Sequence, residues 1–91
     1  MRLLRSSSFI RSARRLLKRN PAEAPGLRST LELLGDDPFD PRLHTHKLKG
    51  KLAGSWAASV TYDLRIVFDF VEHEGEEAIL LGSVGTHDEV Y

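Results

Sequence analysis

The chain has 91 residues with 13 Lys or Arg, 13 Asp or Glu, four His and no Cys, so its formal net charge is zero. This length predicts one small domain, residues 1–91, with a modest core. The absence of cysteine excludes a disulfide framework and every cysteine-ligated metal site. No apolar run approaches the roughly 20 residues of a membrane-spanning helix, and we expect a cytoplasmic protein with no membrane partner.

The charges are segregated along the chain. Residues 1–51 hold twelve Lys or Arg and five Asp or Glu, whereas residues 52–91 hold one Arg and eight Asp or Glu. A basic half of this kind is typical of a chain that contacts a polyanion or an acidic protein. Solvent-exposed surfaces of opposite charge without a binding role would give the same pattern, and charge alone does not separate the two interpretations.

The first twenty residues have the pattern of a short strand followed by a helix. Residues 2–5 are predicted to form the strand. Ser6-Ser7-Ser8 then offers an N-cap, and the apolar residues after it recur at helical spacing. The helix is predicted to end at Asn20-Pro21.

A second helix is predicted to run to about Leu34, with Gly35 as its C-cap. It begins either at Pro21 or at Pro25-Gly26, because proline suits the first helical turn. Residues 35–54 then form a long connection. Loops of more than about 12–15 residues in compact domains are usually functional or disordered, and the histidines and lysines of this one favour function.

Three strands are predicted in the second half. Residues 56–62 and 64–71 alternate with period two and are separated by a tight hairpin at Tyr62-Asp63, with Tyr62 on the apolar face. Residues 78–84 are continuously apolar, as in a central strand. We therefore predict an α+β fold in which two N-terminal helices pack on one face of a small antiparallel sheet. The other face is predicted to be small and polar and to carry Arg65.

Arg65 is the one base that follows Lys51, and it is predicted to project from a rigid strand. A guanidinium in that place can hold a phosphate through two hydrogen bonds. An ion pair with Asp63 or Asp69 across the sheet is the commoner arrangement for such an arginine.

His87 follows the last predicted strand, and Tyr91 comes four residues later. Histidine can give or take a proton near neutral pH. If the segment makes a turn, both side chains reach the same side, where an aromatic ring can stack on a nucleobase. An exposed histidine with no role is the alternative.

The long connection contributes further candidates. His44 and His46, with Asp40, have the composition of a metal site, but two histidines without a third close ligand seldom suffice. We predict no metal and no other cofactor, and we prefer His46 as a second proton-transfer group. Three lysines that alternate with leucines predict a cationic edge that binds the phosphates of single-stranded RNA: Lys47, Lys49 and Lys51.

Together these residues predict a metal-free ribonuclease site. RNA supplies its own nucleophile, the 2′-OH, so the protein has to supply proton transfer and preorganised positive charge. A histidine acid, a histidine or carboxylate base, an arginine and an aromatic ring are sufficient for that chemistry.

Three segments of the chain resemble the RelE/ParE superfamily of type II toxins, and most closely its YafQ-like branch: HKLKGKLAGSW at 46–56, YDLRIVF at 62–68 and GTHDEVY at 85–91. The resemblance implies the same α+β fold. It also implies an mRNA interferase that cuts mRNA on the ribosome and is held inactive by a cognate antitoxin protein.

The resemblance also implies a role for each candidate. His87 matches the general acid that protonates the leaving 5′ oxygen, and Tyr91 matches the terminal aromatic that orients the base. Arg65 matches the arginine that stabilises the transition state. Either His46 or Asp63 assists the 2′-OH. Lys47 and Lys49 fall near lysines of the RelE branch.

Two alternatives share this fold. One is a ParE-like DNA gyrase inhibitor without catalysis, and the other is a degenerate toxin that only binds its antitoxin. A pure binder does not need a histidine and an aromatic at the terminus, so His87 with Tyr91 favours the ribonuclease. Either toxin class implies an acidic antitoxin segment that lies across the basic first helix.

Overall fold

The computed structural model describes all 91 residues as a five-stranded sheet with two main helices on one face. The strands are β1 (Arg2–Arg5), β2 (His46–Lys47), β3 (Trp56–Ser59), β4 (Leu64–His73) and β5 (Glu76–Thr86), and the helices are α1 (Ser7–Arg19), α2 (Ala24–Asp36) and the short α3 (His87–Val90). The strand order is β1-β5-β4-β3-β2, with β1 parallel to β5 and every other pair antiparallel. The predicted α+β class and the packing of helices on one sheet face are confirmed.

The first strand and the first helix form where the sequence predicts them. Ser6 is the N-cap of α1, and its hydroxyl accepts a hydrogen bond from the backbone N–H of Phe9 at 3.0 Å. The helix ends at Asn20, whose N–H donates to the carbonyl of Leu16 at 2.8 Å. Pro21 follows at once and opens a short 3₁₀ helix, because its ring cannot continue an α-helix.

Pro21 and Pro25 each lie in the first turn of a helix near the start of α2. Pro21 begins the 3₁₀ helix Pro21–Glu23, and α2 begins at Ala24 with Pro25 in its first turn. Proline is tolerated in both places because the first N–H groups of a helix have no intrahelical partner.

The predicted C-cap of α2 is wrong, and the helix ends two residues beyond the predicted end at about Leu34. The helix continues through Gly35 to Asp36, and Gly35 is therefore not a C-cap. A Cβ on Gly35 would lie 3.5 Å from the carbonyl oxygen of Met1 and 3.8 Å from Leu3. Both distances are ordinary van der Waals contacts, so a side chain as small as that of alanine would fit at this position of the helix.

The predicted tight hairpin at Tyr62-Asp63 is also wrong. Strand β3 ends at Ser59, and the chain then makes a wider turn. The hydroxyl of Thr61 accepts hydrogen bonds from the N–H groups of Asp63 and Leu64, at 3.3 and 3.1 Å. These bonds favour the turn over a longer strand, and Tyr62 is 96% exposed instead of packing on the apolar face.

Strands β4 and β5 are longer than predicted because the turn between them is short. The strand pairing continues to His73 opposite Glu76. Only Glu74 and Gly75 connect them, both with positive φ, at 53° and 81°, which is the conformation of a two-residue hairpin loop. The long predicted connection after α2 is likewise structured, since it contains β2 and 3₁₀ helices at Pro41–Leu43 and Gly50–Leu52.

The core lies between the two helices and the sheet. Leu64, Ile66 and Phe68 alternate toward the helices, and Arg65 lies on the opposite face. That opposite face is less polar than predicted, because Ala57 and Val67 pair there and are both buried. None of the helices has the length and apolar character needed to cross a membrane.

Candidate functional site

An open cleft of about 520 Å³ lies beside the β3–β4 turn. Its lining includes Arg42, His44, His46, Thr61, Tyr62 and Arg65, and we term it the histidine cleft. No carboxylate lines this cleft. Clefts lined by one sign of charge concentrate ligands of the opposite sign, so this one favours an anion.

Arg65 is held by backbone groups and not by an acid. Its Nη1 donates to the carbonyl of Thr61 at 2.7 Å and to that of Leu64 at 3.2 Å. No carboxylate lies within 4.0 Å of its guanidinium, so the ion pair with Asp63 or Asp69 is not formed. The charge of Arg65 is therefore free to bind an anion.

The two histidines of the cleft are placed by a turn of the chain. His44 has a left-handed backbone, with φ of 50°, and it ends the 3₁₀ helix before β2. The Nδ1 atom of His46 lies 3.0 Å from the carbonyl oxygen of His44. A carbonyl can only accept a hydrogen bond, so Nδ1 carries the proton and the neutral imidazole has Nε2 as its basic atom.

Arg42 lines the same cleft, but its charge is already paired. Its Nε and Nη2 donate to the two carboxylate oxygens of Asp40, each at 3.0 Å. These hydrogen bonds lower the pKa of Asp40 and raise the pKa of Arg42. The carboxylate is thus committed to Arg42, and no group of three or more His, Cys, Asp or Glu is placed to hold a metal ion.

The terminal helix α3 is one turn long and is fixed by a capping box. Thr86 accepts a hydrogen bond from the N–H of Glu89 at 3.4 Å, and the carboxylate of Glu89 accepts one from the N–H of Thr86 at 2.9 Å. Because of this turn, the rings of His87 and Tyr91 lie edge to face with centroids 4.3 Å apart. The two predicted residues do reach the same side. The T-x-x-E pattern at 86–89 is a sequence signature of this box, so Glu89 could have been identified from the sequence, although we did not predict it.

Glu89 also ties α3 to the first helix. Its carboxylate lies 2.6 Å from the guanidinium of Arg19. Hydrogen bonds from the backbone of Thr86 and from Arg19 lower the pKa of Glu89 to about 2. Gly85 permits this close packing, because a Cβ there would lie 3.1 Å from the carboxylate of Glu89 and 3.3 Å from Val90.

The rings of His87 and Tyr91 have different surroundings. The side chain of His87 is 63% exposed, and its Nδ1 lies 3.6 Å from a carboxylate oxygen of Asp88. Partial burial raises the pKa of Tyr91 above its ordinary value, and the positive charge of Arg65 partly opposes that rise. Tyr91 therefore lies within electrostatic reach of Arg65, and His87 remains open to a ligand.

Asp63 lies in a different cleft from His46 and Arg65. This second cleft has a volume of about 550 Å³, also borders Thr61, and is lined by Arg19, Glu23, Asp63 and Glu89 among others. We term it the acidic cleft, since these four charged residues include three carboxylates and one cation. The structure thus brings His46 and Arg65 together and places Asp63 apart from them.

The three predicted lysines are all exposed but border neither cleft. Lys47 pairs with Trp56 across the strands, and its Nζ lies 5.4 Å from the centre of the indole ring. It therefore lies on the sheet face opposite to His46. Lys49 precedes the 3₁₀ helix Gly50–Leu52, which contains Lys51.

Solved structures that share this fold include bacterial toxins. YafQ from E. coli strain BL21(DE3) has a TM-score of 0.78 at 18% identity, covering 100% of this chain and 99% of that chain. The YoeB/ParE toxin from Agrobacterium tumefaciens has a TM-score of 0.76 at 18% identity, with 96% and 99% covered. The toxin–antitoxin complex of DinJ and YafQ from E. coli has a TM-score of 0.70 at 18% identity, with 98% and 94% covered.

No protein-family model matches the chain, and no curated protein sequence matches it. At identities this low the similarity establishes the fold and not the activity. The predicted resemblance to RelE/ParE toxins, including YafQ, is confirmed at the level of the fold.

Proposed function

We propose that this chain is the toxin of a type II toxin–antitoxin system and that it cleaves mRNA on the ribosome as a metal-independent endoribonuclease. The observation that carries the proposal is the histidine cleft, in which the unpaired guanidinium of Arg65 and two histidines lie together without a carboxylate. The fold supports it, because YafQ and a YoeB/ParE toxin have the same fold.

The chemistry that we propose uses the 2′-OH of the RNA as nucleophile. As that oxygen attacks the adjacent phosphorus, His46 accepts its proton at Nε2. Arg65 stabilises the negative charge that builds on the phosphate oxygens. The bond from phosphorus to the 5′ oxygen breaks, and His87 protonates that oxygen as it leaves. Tyr91 orients a base next to the reacting phosphate.

Two parts of the proposal concern groups outside the histidine cleft. Asp63 remains the second candidate for the group that assists the 2′-OH. The exposed lysines near β2 are proposed to bind phosphates that flank the cleaved bond, through long-range attraction that salt weakens: Lys47, Lys49 and Lys51.

The proposed protein partner is a cognate antitoxin with an acidic segment. Helix α1 presents five cations over its 13 residues, and only Arg19 among them is paired with an acid. In the DinJ–YafQ complex a toxin of this fold is bound by an antitoxin. We propose a cytoplasmic location, because the proposed substrate is mRNA on the ribosome.

The test is mRNA cleavage in a reconstituted translation system, with the 3′ ends mapped. Wild type is expected to cut translated messages inside codons, and His87→Ala is expected to lose at least about 10²-fold in rate, because the general acid is gone. His73→Ala is the matched control, because His73 lies on β4 outside both clefts. Circular dichroism establishes that each variant is folded.

The opposite results are also informative. A folded wild-type protein that cuts no message contradicts the ribonuclease proposal. Inhibition of DNA gyrase by that protein would then establish the ParE-like inhibitor. Antitoxin binding without either activity would establish the degenerate toxin.

A further inference from the structure

Tyr62 is the most exposed of the large apolar side chains of this protein. Its exposed fraction is 96%, and the next is Phe39 with 55%. Single exposed apolar side chains are common on proteins, so exposure by itself carries no argument. The position of Tyr62 does, because it lines the histidine cleft together with Arg65.

The turn that carries Tyr62 is held by hydrogen bonds on both sides of it. Thr61 Oγ1 accepts from the N–H groups of Asp63 and Leu64, and the N–H of Val60 donates to the carbonyl of Leu64 at 2.9 Å. These hydrogen bonds hold the backbone of the turn, and the ring of Tyr62 projects from it into solvent.

The same turn anchors Arg65. Nη1 of Arg65 donates to the carbonyl of Thr61 at 2.7 Å, which belongs to the peptide unit that leads into Tyr62. None of the protein's hydrogen bonds uses Nε or Nη2 of this guanidinium. A phosphate can bind to that edge through two hydrogen bonds, and the cleft of about 520 Å³ lies within the range of ligand sites.

We propose that Tyr62 is a stacking platform for one nucleobase of a single-stranded RNA whose phosphate binds Arg65. The inference rests on the proposed function and adds a second base-binding position to the one at Tyr91. Every base has a π-face, so stacking of this kind accepts any base sequence. The two tyrosines belong to different parts of the fold: Tyr62 lies in the β3–β4 turn and lines the cleft with Arg65, whereas Tyr91 directly follows α3, and the positive charge of Arg65 acts on its pKa.

Tyr62 acts in binding and not in proton transfer, and this separates its role from that of His87. Truncation of the ring should raise KM and leave kcat nearly unchanged. Tyr62→Phe keeps the π-face and should behave as wild type. The truncation should not unfold the protein, because the ring has almost no packing contacts to lose.

The experiment has two measurements on full-length wild type, Tyr62→Ala and Tyr62→Phe. The first is the affinity for a 2′-O-methyl RNA pentamer, which binds without being cleaved because its 2′ oxygens cannot attack. The second is KM and kcat for mRNA cleavage on the ribosome. Phe39→Ala is the control for loss of an exposed aromatic ring outside the histidine cleft, and circular dichroism checks its fold because Phe39 packs against Trp56 and Phe70.

Tyr62→Ala is expected to weaken pentamer binding by about 5- to 100-fold and to raise KM by a similar factor. Tyr62→Phe and Phe39→Ala should leave the affinity and the KM unchanged.

If Tyr62→Ala has wild-type affinity and wild-type KM, the stacking proposal is overturned. The ribonuclease proposal survives that result if cleavage persists. Tyr62-dependent binding by a protein that cuts no message keeps the stacking site and overturns the ribonuclease. If wild type neither binds the pentamer nor cleaves mRNA, both the stacking proposal and the ribonuclease proposal are overturned.

Discussion

The histidine cleft and the acidic cleft share Thr61 and are similar in volume, yet they have opposite chemistry. The histidine cleft has two arginines, two histidines and no carboxylate. The acidic cleft has three carboxylates around Arg19. Asp63 and Arg65 are only two residues apart, but the turn that precedes β4 sends them to different clefts. Proximity in sequence is therefore a poor guide to which groups act together here.

Glu89, one of the three acids of the acidic cleft, has a structural role. Glu89 caps α3 and binds Arg19, so it fixes the terminal turn that carries His87 and Tyr91. Arg65 in the other cleft is held by backbone carbonyls, which leave its positive charge uncompensated. The contrast explains how a chain of zero net charge can offer a cationic site.

Loss of Arg65 should have the largest effect that this comparison predicts. Arg65→Met should lower the single-turnover cleavage rate by about 10²- to 10³-fold, because a preorganised donor to the charged transition state is lost. The matched control is the double variant Asp40→Asn with Arg42→Met, which removes the paired arginine of the same cleft without changing net charge. It should stay within about fivefold of wild type, because surface ion pairs of this kind contribute little. Equal losses would mean that the cleft acts only as a diffuse positive surface.

The next effect separates the two candidates for the general base. His46→Gln should lower the cleavage rate by about 10²-fold, because the group that accepts the proton of the 2′-OH is gone. Asp63→Asn should stay within about twofold of wild type, since Asp63 is exposed and lies in the acidic cleft. A large loss of rate in Asp63→Asn with little loss in His46→Gln would assign the base to Asp63.

The smallest predicted effect is a weaker packing of α3 against the rest of the protein at acid pH. The pKa of Glu89 is lowered from 4.5 to about 2, so its carboxylate stabilises the folded turn above pH 4.5, and that stabilisation is lost as the pH falls toward 2. The protection factors of the α3 amides against hydrogen exchange and the NMR contact between His87 and Tyr91 should decrease with this loss.

Two variants test whether Glu89 is the group that titrates. Glu89→Gln keeps a side chain that can complete the capping box, but it cannot titrate, so the protection factors of the α3 amides, corrected for the intrinsic pH dependence of exchange, should no longer change between pH 4.5 and 2. Glu23→Gln is the matched control, because Glu23 lines the same cleft without an ion pair. A titration that disappears with Glu23→Gln instead would contradict the assignment to Glu89.

Much of the fold follows from the sequence, because its causes are local. Helical spacing of apolar residues and a serine cap predict α1, and alternation predicts the faces of β4. The contact between His87 and Tyr91 needs only a turn, and a hydrogen-bonding pattern within four residues supplies it. The errors at Gly35 and Tyr62 arose because a glycine and a tyrosine were interpreted by residue type, whereas Gly35 lies inside α2 without a positive φ and Tyr62 lies in a threonine-centred turn.

The order of the main elements, the residue types of the candidate site and the resemblance to a toxin fold follow from the amino-acid sequence. Which of those residues share a cleft depends on how the chain folds in three dimensions. The pairing of Arg19 with Glu89 joins positions 70 residues apart. Sheet register places Lys47 over Trp56, on the face opposite to His46. Periodicity and capping act over a few residues, whereas the grouping of charges depends on turns and strand pairing that bring distant parts of the chain together.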